Sequence, residues 1–244
     1  MPGDVLQFAL SLSLSRGESR VLQKYMKTIY FVRHGQTLFN KAGRLQGRVD
    51  SPLSELGEQQ VACVAKALKP LGIHSALVSP LGRAQQTAGI IQAELGVNLE
   101  SVQQLSEVSF GDFEGNTLEQ LEEKYPGQWL LRTENKWDYC PPQGESNADA
   151  ASRAQQVIDR IEQWQEAEPL LIVAHFAINR IIMSLLADVP PGDTVQIDVP
   201  HFVIYRVQND NGQWQLSYCD TEDSPDSFKT GWMIQPDPVS ADRR

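Results

Sequence analysis

Ile29-Tyr30-Phe31-Val32-Arg33-His34-Gly35-Gln36-Thr37-Leu38-Phe39-Asn40 joins an apolar run to a basic pair and a polar turn. Ile29 to Val32 is a short apolar run of β-branched and aromatic residues, which predicts a buried strand. Arg33-His34-Gly35 then falls at the carboxyl end of that strand, where open α/β sheets bind their ligands. A guanidinium beside an imidazole is a poor core pair, because a buried charge without an anionic partner is costly. Gly35 allows close backbone approach.

Working outward, Ser54 is a good N-cap with Glu55 and Glu58 in the first turn, and Val61, Val64, Ala65 and Leu68 draw one helical face before Pro70. Ala76-Leu77-Val78-Ser79 predicts a second strand. A helix follows with Ala84, Ala88, Ile91 and Leu95 inward, stopped by Gly96. This βαβα alternation points to a parallel sheet. Arg83 lies in the first turn of the second helix, again just past a strand.

Residues 105–143 interrupt the rhythm with a glycine-rich segment from Glu107 to Gly115, a short helix near Leu118 to Tyr125, and Trp129, Trp137 and Tyr139. Such an insertion over a sheet edge is expected to be a lid or specificity element. A helix with Ala154, Val157, Ile158, Ile161 and Trp164 on one face comes next. The most apolar strand, Leu170-Leu171-Ile172-Val173-Ala174, ends in His175. Ile178, Ile181, Ile182, Leu185 and Leu186 mark the last long helix, closed by Pro190-Pro191. Asn209-Asp210-Asn211-Gly212 between Phe202–Val207 and Gln213–Tyr218 predicts an antiparallel hairpin at a sheet edge.

With 244 residues and 41% apolar side chains, the chain has material for one large α/β domain. Its 31 acidic against 21 basic residues give a formal charge of −10, which disfavours nucleic acid and anionic membranes as partners. An anionic substrate then needs a local basic pocket. Three scattered cysteines, Cys63, Cys140 and Cys219, suggest neither a disulfide framework nor a zinc site and fit a reducing cytoplasm. The leader 1–25 lacks the basic start of a signal peptide, and Met26 abuts the first strand, so a misplaced start, with Met26 the first residue, stands beside a disordered or functional extension as the reading of 1–25, and the domain is placed at 26–218. Residues 219–244, acidic and without periodicity, are expected to form a loosely held tail. Nothing in the sequence indicates a homo-oligomer.

Three strand ends thus bring Arg33-His34, Arg83 and His175 to one edge of the inferred sheet. Two arginines and two histidines suit the three oxygens of a phosphoryl group. Neutral imidazole, with an ordinary pKa of about 6.5, keeps one ring nitrogen available for attack. No metal or nucleotide cofactor motif is present.

Arg33-His34-Gly35-Gln36-Thr37 with Asn40, Gly43-Arg44-Leu45-Gln46-Gly47 and Asp50 through Gly57 resembles the signature of the histidine phosphatase superfamily, whose fold is that of the phosphoglycerate mutases. The resemblance implies an α/β three-layer sandwich with a mostly parallel central sheet and helices on both faces. It implies His34 as nucleophile, Glu107 as proton donor and His175 as a catalytic donor to the phosphoryl group. Arg33, Thr37, Asn40, Gln46, Gly47 and Arg83 are implied as phosphate ligands.

Ala174 and Phe176 stand where the family usually has Ser and Gly around the second histidine, and phenylalanine there is expected to crowd the pocket or redirect the turn. Glu114 is read as structural, Glu145 with Arg153 as a brace or a catalytic element, and His74 and His201 as surface or loop histidines. The expected activity is hydrolysis of a small phosphorylated metabolite without a metal. The segment between Glu107 and Gly144 is shorter than is usual in the mutases, which favours a phosphatase. A mutase and a catalytically weak phospho-ligand binder are the alternatives.

Overall fold

The structure, a computed structural model, describes residues 27–164, 168–221 and 227–234. The leader 1–25, with the question of a start at Met26, lies outside them, as do residues 222–226 and 235–244 of the expected tail. A seven-stranded sheet runs in the order β3-β2-β4-β1-β5-β6-β7. The strands are β1 (Lys27–Arg33), β2 (Ser75–Val78), β3 (Asn98–Ser101), β4 (Leu170–Ala174), β5 (Val203–Asp210), β6 (Gln213–Asp220) and β7 (Lys229–Thr230). β3, β2, β4 and β1 pair in parallel, and β5, β6 and β7 add antiparallel neighbours on the far side of β1.

Both faces of the parallel part are covered, which explains strands that read as continuous apolar runs. Ile29, Phe31, Leu170 and Ile172 point into one core layer, under α6 (Asn147–Gln163) and α7 (Phe176–Leu186). Tyr30, Val32, Leu171 and Val173 point into the other, under α2 (Glu55–Leu68) and α3 (Gly82–Leu95). The period-2 alternation of a strand therefore feeds two cores at once. Side chains of this size stabilise by about 1.5–3 kcal/mol each when fully buried, and all five residues of β4 are buried. The sheet with helices on both faces is the three-layer arrangement expected.

Local chemistry sets the ends of the elements. Ser54 caps α2 by accepting the Gly57 N–H at 3.1 Å, and Ser146 forms a capping box with Asp149 at the start of α6. Asn211 and Gly212 take positive φ values of 52° and 91°, the demand of a two-residue hairpin turn between β5 and β6. Gly35 meets the Gly57 carbonyl so closely that a Cβ has no room, so the close approach it permits is to α2.

The structure adds elements the periodicity missed and corrects some boundaries. β3 forms from Asn98–Ser101 at the sheet edge, and the segment 105–143 carries, besides the expected short helix, now α4 (Leu118–Lys124), a second one, α5 (Gln128–Glu134). A further short helix, α8, spans Pro191–Thr194, and α1 spans Leu38–Lys41. Leu185, expected on the inner face of α7, is exposed. The described part of the expected tail is docked. β6 reaches Asp220, β7 pairs with it, the Asp198 N–H donates to the Met233 carbonyl at 2.9 Å, and Trp232 and Met233 pack on the core. β7 is therefore the edge, and the β5–β6 hairpin lies inside it. Among the described residues no helix is long and apolar enough to cross a membrane.

Candidate active site

β1, β2 and β4 lie together in the sheet, so the residues that follow them meet at one edge. His34 continues β1, its N–H donating to the Ala174 carbonyl at 3.0 Å. Its Nδ1 is 2.8 Å from the Gly35 carbonyl, a contact that makes Nδ1 the protonated nitrogen and leaves Nε2 with a lone pair. Arg83, at the first turn of α3, donates its Nε–H to that Nε2 at 3.2 Å. His175 stands at the N-cap position of α7, its ring 5.1 Å from that of His34 in a T-shaped arrangement. The three strand ends thus converge as their sequence positions predicted.

Electrostatics keep both imidazoles neutral. Burial holds His34 well below the usual imidazole range, and Arg83, His175, Arg33 and His201 push it the same way. His175 is lowered likewise, by burial first and then by Arg83, Arg33 and Arg153. A neutral His34 is the form in which a ring nitrogen is nucleophilic.

A narrow cavity opens over this cluster. Its lining includes Arg33, His34, Asn40, Gln46, Gly47, Arg83 and Glu107, all expected at the site. Arg83 is almost fully buried and spreads its fork to the Gly47 carbonyl at 2.6 Å, the Val49 carbonyl at 3.1 Å and Asp50 Oδ1 at 3.2 Å. Asp50 also accepts the Gly82 and Arg83 N–H groups, and so closes the N-terminus of α3.

Glu107 reaches the cavity by an unexpected route. Its carboxylate accepts the Val108 N–H at 2.8 Å and, at 3.1 Å each, the N–H groups of Ala177 and Ile178 in the first turn of α7. α7 has no cap from its own N-cap side chain, and Glu107 serves that purpose from a distant segment. Behind it, Arg153 bonds the Glu107 carbonyl at 3.2 Å, the Gln104 carbonyl at 2.6 Å and both oxygens of Glu145 at 2.7 and 3.1 Å. Glu145 and Arg153 act as a brace in this arrangement. Glu114 accepts the Arg48, Val49 and Phe110 N–H groups and clasps the two loops, in keeping with its structural reading.

Two expected site residues stand behind the cavity wall. Thr37 is fully buried, exchanges capping bonds with Asn40 and accepts from Gln46 Nε2 at 2.7 Å. It holds two lining residues without lining the cavity itself. His175 is fully buried and outside the lining, with Nε2 2.7 Å from Ser79 Oγ.

His201, read as a surface or loop histidine, is buried instead. Its Nδ1 donates to the His34 carbonyl at 2.6 Å and its ring is 5.5 Å from that of His34. His74 is exposed as expected. Phe176 does line the cavity, and the guanidinium carbons of Arg33 and Arg180 each sit 4.9 Å from its ring centroid. Arg180, Arg132 and Arg44 are lining residues the sequence reading missed. Arg132, from α5, lies 4.8 and 4.7 Å from the rings of Phe110 and Trp129. Five arginines and one carboxylate thus surround the cavity of an acidic chain, an arrangement suited to an anion.

Known proteins share this sequence and shape. A probable phosphoglycerate mutase of Erwinia tasmaniensis is 33% identical over 213 residues, covering 86% of this chain and 92% of that protein. A probable phosphoglycerate mutase of Yersinia enterocolitica is 30% identical over the same shares. Among solved structures, a mycobacterial glucosyl-3-phosphoglycerate phosphatase in complex with VO3 superposes with a TM-score of 0.72 at 26% identity, covering 78% of this chain and 96% of that one. A putative α-ribazole-5′-P phosphatase of Escherichia coli shares the fold, with a TM-score of 0.74 at 21% identity over 80% of this chain and 96% of that one. This chain belongs to the histidine phosphatase superfamily, branch 1, whose family model matches it from residue 29 to residue 221.

Proposed function

We propose that this chain hydrolyses small phosphomonoesters through a phosphohistidine at His34. In the first step Nε2 of His34 attacks phosphorus, the bond between phosphorus and the ester oxygen breaks, and Glu107 gives its proton to the leaving oxygen. Water then attacks the phosphohistidine, the N–P bond breaks, and Glu107 takes the water's proton. Arg33 and Arg83 neutralise the transferring group, Asn40 and Gln46 offer it amide hydrogen bonds, and no step calls on a metal. The observation that carries this reading is the state of His34: neutral, anchored through Nδ1 to Gly35, and lining a cavity rich in arginine.

Hydrolysis is preferred to mutase chemistry because the segment from Glu107 to Gly144 is shorter than is usual in the mutases. Structural relatives named as phosphatases support that preference. The sequence relatives named as probable phosphoglycerate mutases favour the second reading, in which the phosphoryl group returns to a bound product. The scattered cysteines make a reducing cytoplasm the expected setting. A turnover screen over phosphorylated metabolites, with and without a bisphosphoglycerate primer, separates the two. Release of inorganic phosphate that is indifferent to primer supports hydrolysis, and primer-dependent isomerisation without release overturns it.

A further inference from the structure

Ser79 stands at the carboxyl end of β2, fully buried, with its N–H donating to the Val173 carbonyl at 3.0 Å. Its Oγ lies 2.7 Å from Nε2 of His175 and accepts the Leu81 N–H at 3.3 Å. His175 is fully buried as well, and its Nδ1 has no hydrogen-bond partner among the described residues. An orphaned polar atom in such a place calls for an explanation.

A serine hydroxyl carries one proton, and a neutral imidazole carries one proton on either nitrogen. If Nε2 held the ring proton it would donate to Ser79. The serine O–H and the Nδ1 lone pair would then both be buried without partners. If Nδ1 holds the proton, Ser79 donates to Nε2, the Leu81 N–H fills an acceptor position on Oγ, and only the Nδ1–H is left over. Each buried orphan costs about 1–3 kcal/mol, so the second tautomer prevails. The donor left over belongs to a ring 5.1 Å from that of His34, in a neighbourhood that includes Arg33 and Arg83.

We propose that Ser79 is a positioning residue whose hydroxyl fixes His175 as the Nδ1–H tautomer, so that the donor role the family resemblance implies for His175 is met by Nδ1. The inference rests on the phosphatase reading for the identity of the anion. The tautomer itself is legible without turnover. Because the donor matters most as charge develops on the phosphoryl oxygens, loss of Ser79 acts on kcat more than on KM.

The test is a long-range proton–nitrogen correlation spectrum of the whole protein labelled at histidine, with His175 assigned by its loss in His175→Gln. The expected result is a protonated Nδ1 and an unprotonated Nε2. Inorganic phosphate should move the Nδ1–H signal, Ser79→Ala should shift the ring toward the Nε2–H tautomer, and Ser79→Thr, which keeps the hydroxyl, should retain Nδ1–H. On an alkyl phosphate, Ser79→Ala should lower kcat by up to about 10²-fold with KM nearly unchanged. A wild-type His175 protonated on Nε2, or an unchanged tautomer in Ser79→Ala, overturns the role of Ser79. A Nδ1–H signal indifferent to phosphate overturns the donor role of His175, whether or not the chain proves to be a phosphatase.

Discussion

Nε of Arg83 donates to Nε2 of His34 at 3.2 Å, so the nitrogen proposed to attack phosphorus is held by a cation in the free protein. The rest of that guanidinium is tied to the carbonyls of Gly47 and Val49 and to Asp50. One side chain therefore fixes the nucleophile and the loop that frames the cavity.

Replacing Arg83 with Met should cost about 10²–10³-fold in kcat/KM, the scale for loss of one preorganised donor. It should also cost about 1–3 kcal/mol of stability, because buried carbonyls lose their donor. Arg83→Lys restores the charge without the planar fork and should recover only part of the rate. Single-turnover kinetics and urea unfolding measure the two effects. Wild-type kcat/KM in Arg83→Met would remove Arg83 from the site's chemistry.

Stability should fall as pH drops below about 6.5. His34 and His175 both have pKa values held well below the usual imidazole range, by burial first. In the unfolded chain they titrate near the ordinary value, so below it the unfolded state binds protons that the folded state refuses. The contribution is complete above about pH 6.5 and is lost at about 1.4 kcal/mol per group per pH unit below it, until the folded pKa is reached. Urea unfolding of the wild type and of a His34→Gln, His175→Gln double variant between pH 7.5 and 5.5 isolates this term. Parallel stability curves for the two proteins would contradict it.

Arg153 joins Glu145 to the backbone of Gln104 and Glu107, with little of either charged side chain exposed. Arg153→Met should cost about 2–3 kcal/mol, since charge-assisted bonds are lost and, among the described residues, Arg48 is the ionic partner left to Glu145. The rate should fall with it through misplacement of Glu107. A calorimetric unfolding scan with no shift would show the brace to be idle.

What the sequence made legible was whatever local pattern controls. Ile29–Val32 and Leu170–Ala174 were readable as strands because both faces of a parallel sheet are buried, and their carboxyl ends located the site. β3 was not readable, since Asn98–Ser101 lies at an edge and has no buried residue. α5 exposes Leu130 and Leu131, so it has no apolar face to recognise, and Arg132 looked like any helical surface charge. His201 sits in a loop, and its burial depends on contact with His34, far away in sequence. Arg180 did leave a signal: the one charge of a largely apolar helix, where a surface role is implausible. Glu107 was found, but its capping of α7 could not be foreseen, because the Ala177 and Ile178 N–H groups reach it only in the folded chain.

That capping role sharpens the test of Glu107 as the acid. An aryl phosphate leaves as a weakly basic phenolate and needs little help, whereas an alkyl phosphate needs a proton. Glu107→Gln should slow single-turnover phosphorylation by an alkyl ester by about 10²–10⁴-fold and by nitrophenyl phosphate much less. Loss of the cap alone would displace α7 and slow both esters alike. Equal losses would therefore assign Glu107 to structure.

The proposed chemistry requires that His34 become phosphorylated. Rapid acid-free quenching of wild-type protein mixed with a phosphorus-labelled substrate, followed by denaturing separation, should trap label on the chain as an acid-labile, base-stable phosphate. Peptide mapping should place it on His34, and His34→Ala should show none. Turnover by the wild type with no trapped label at any quench time, or label retained in His34→Ala, would rule out a phosphohistidine at His34.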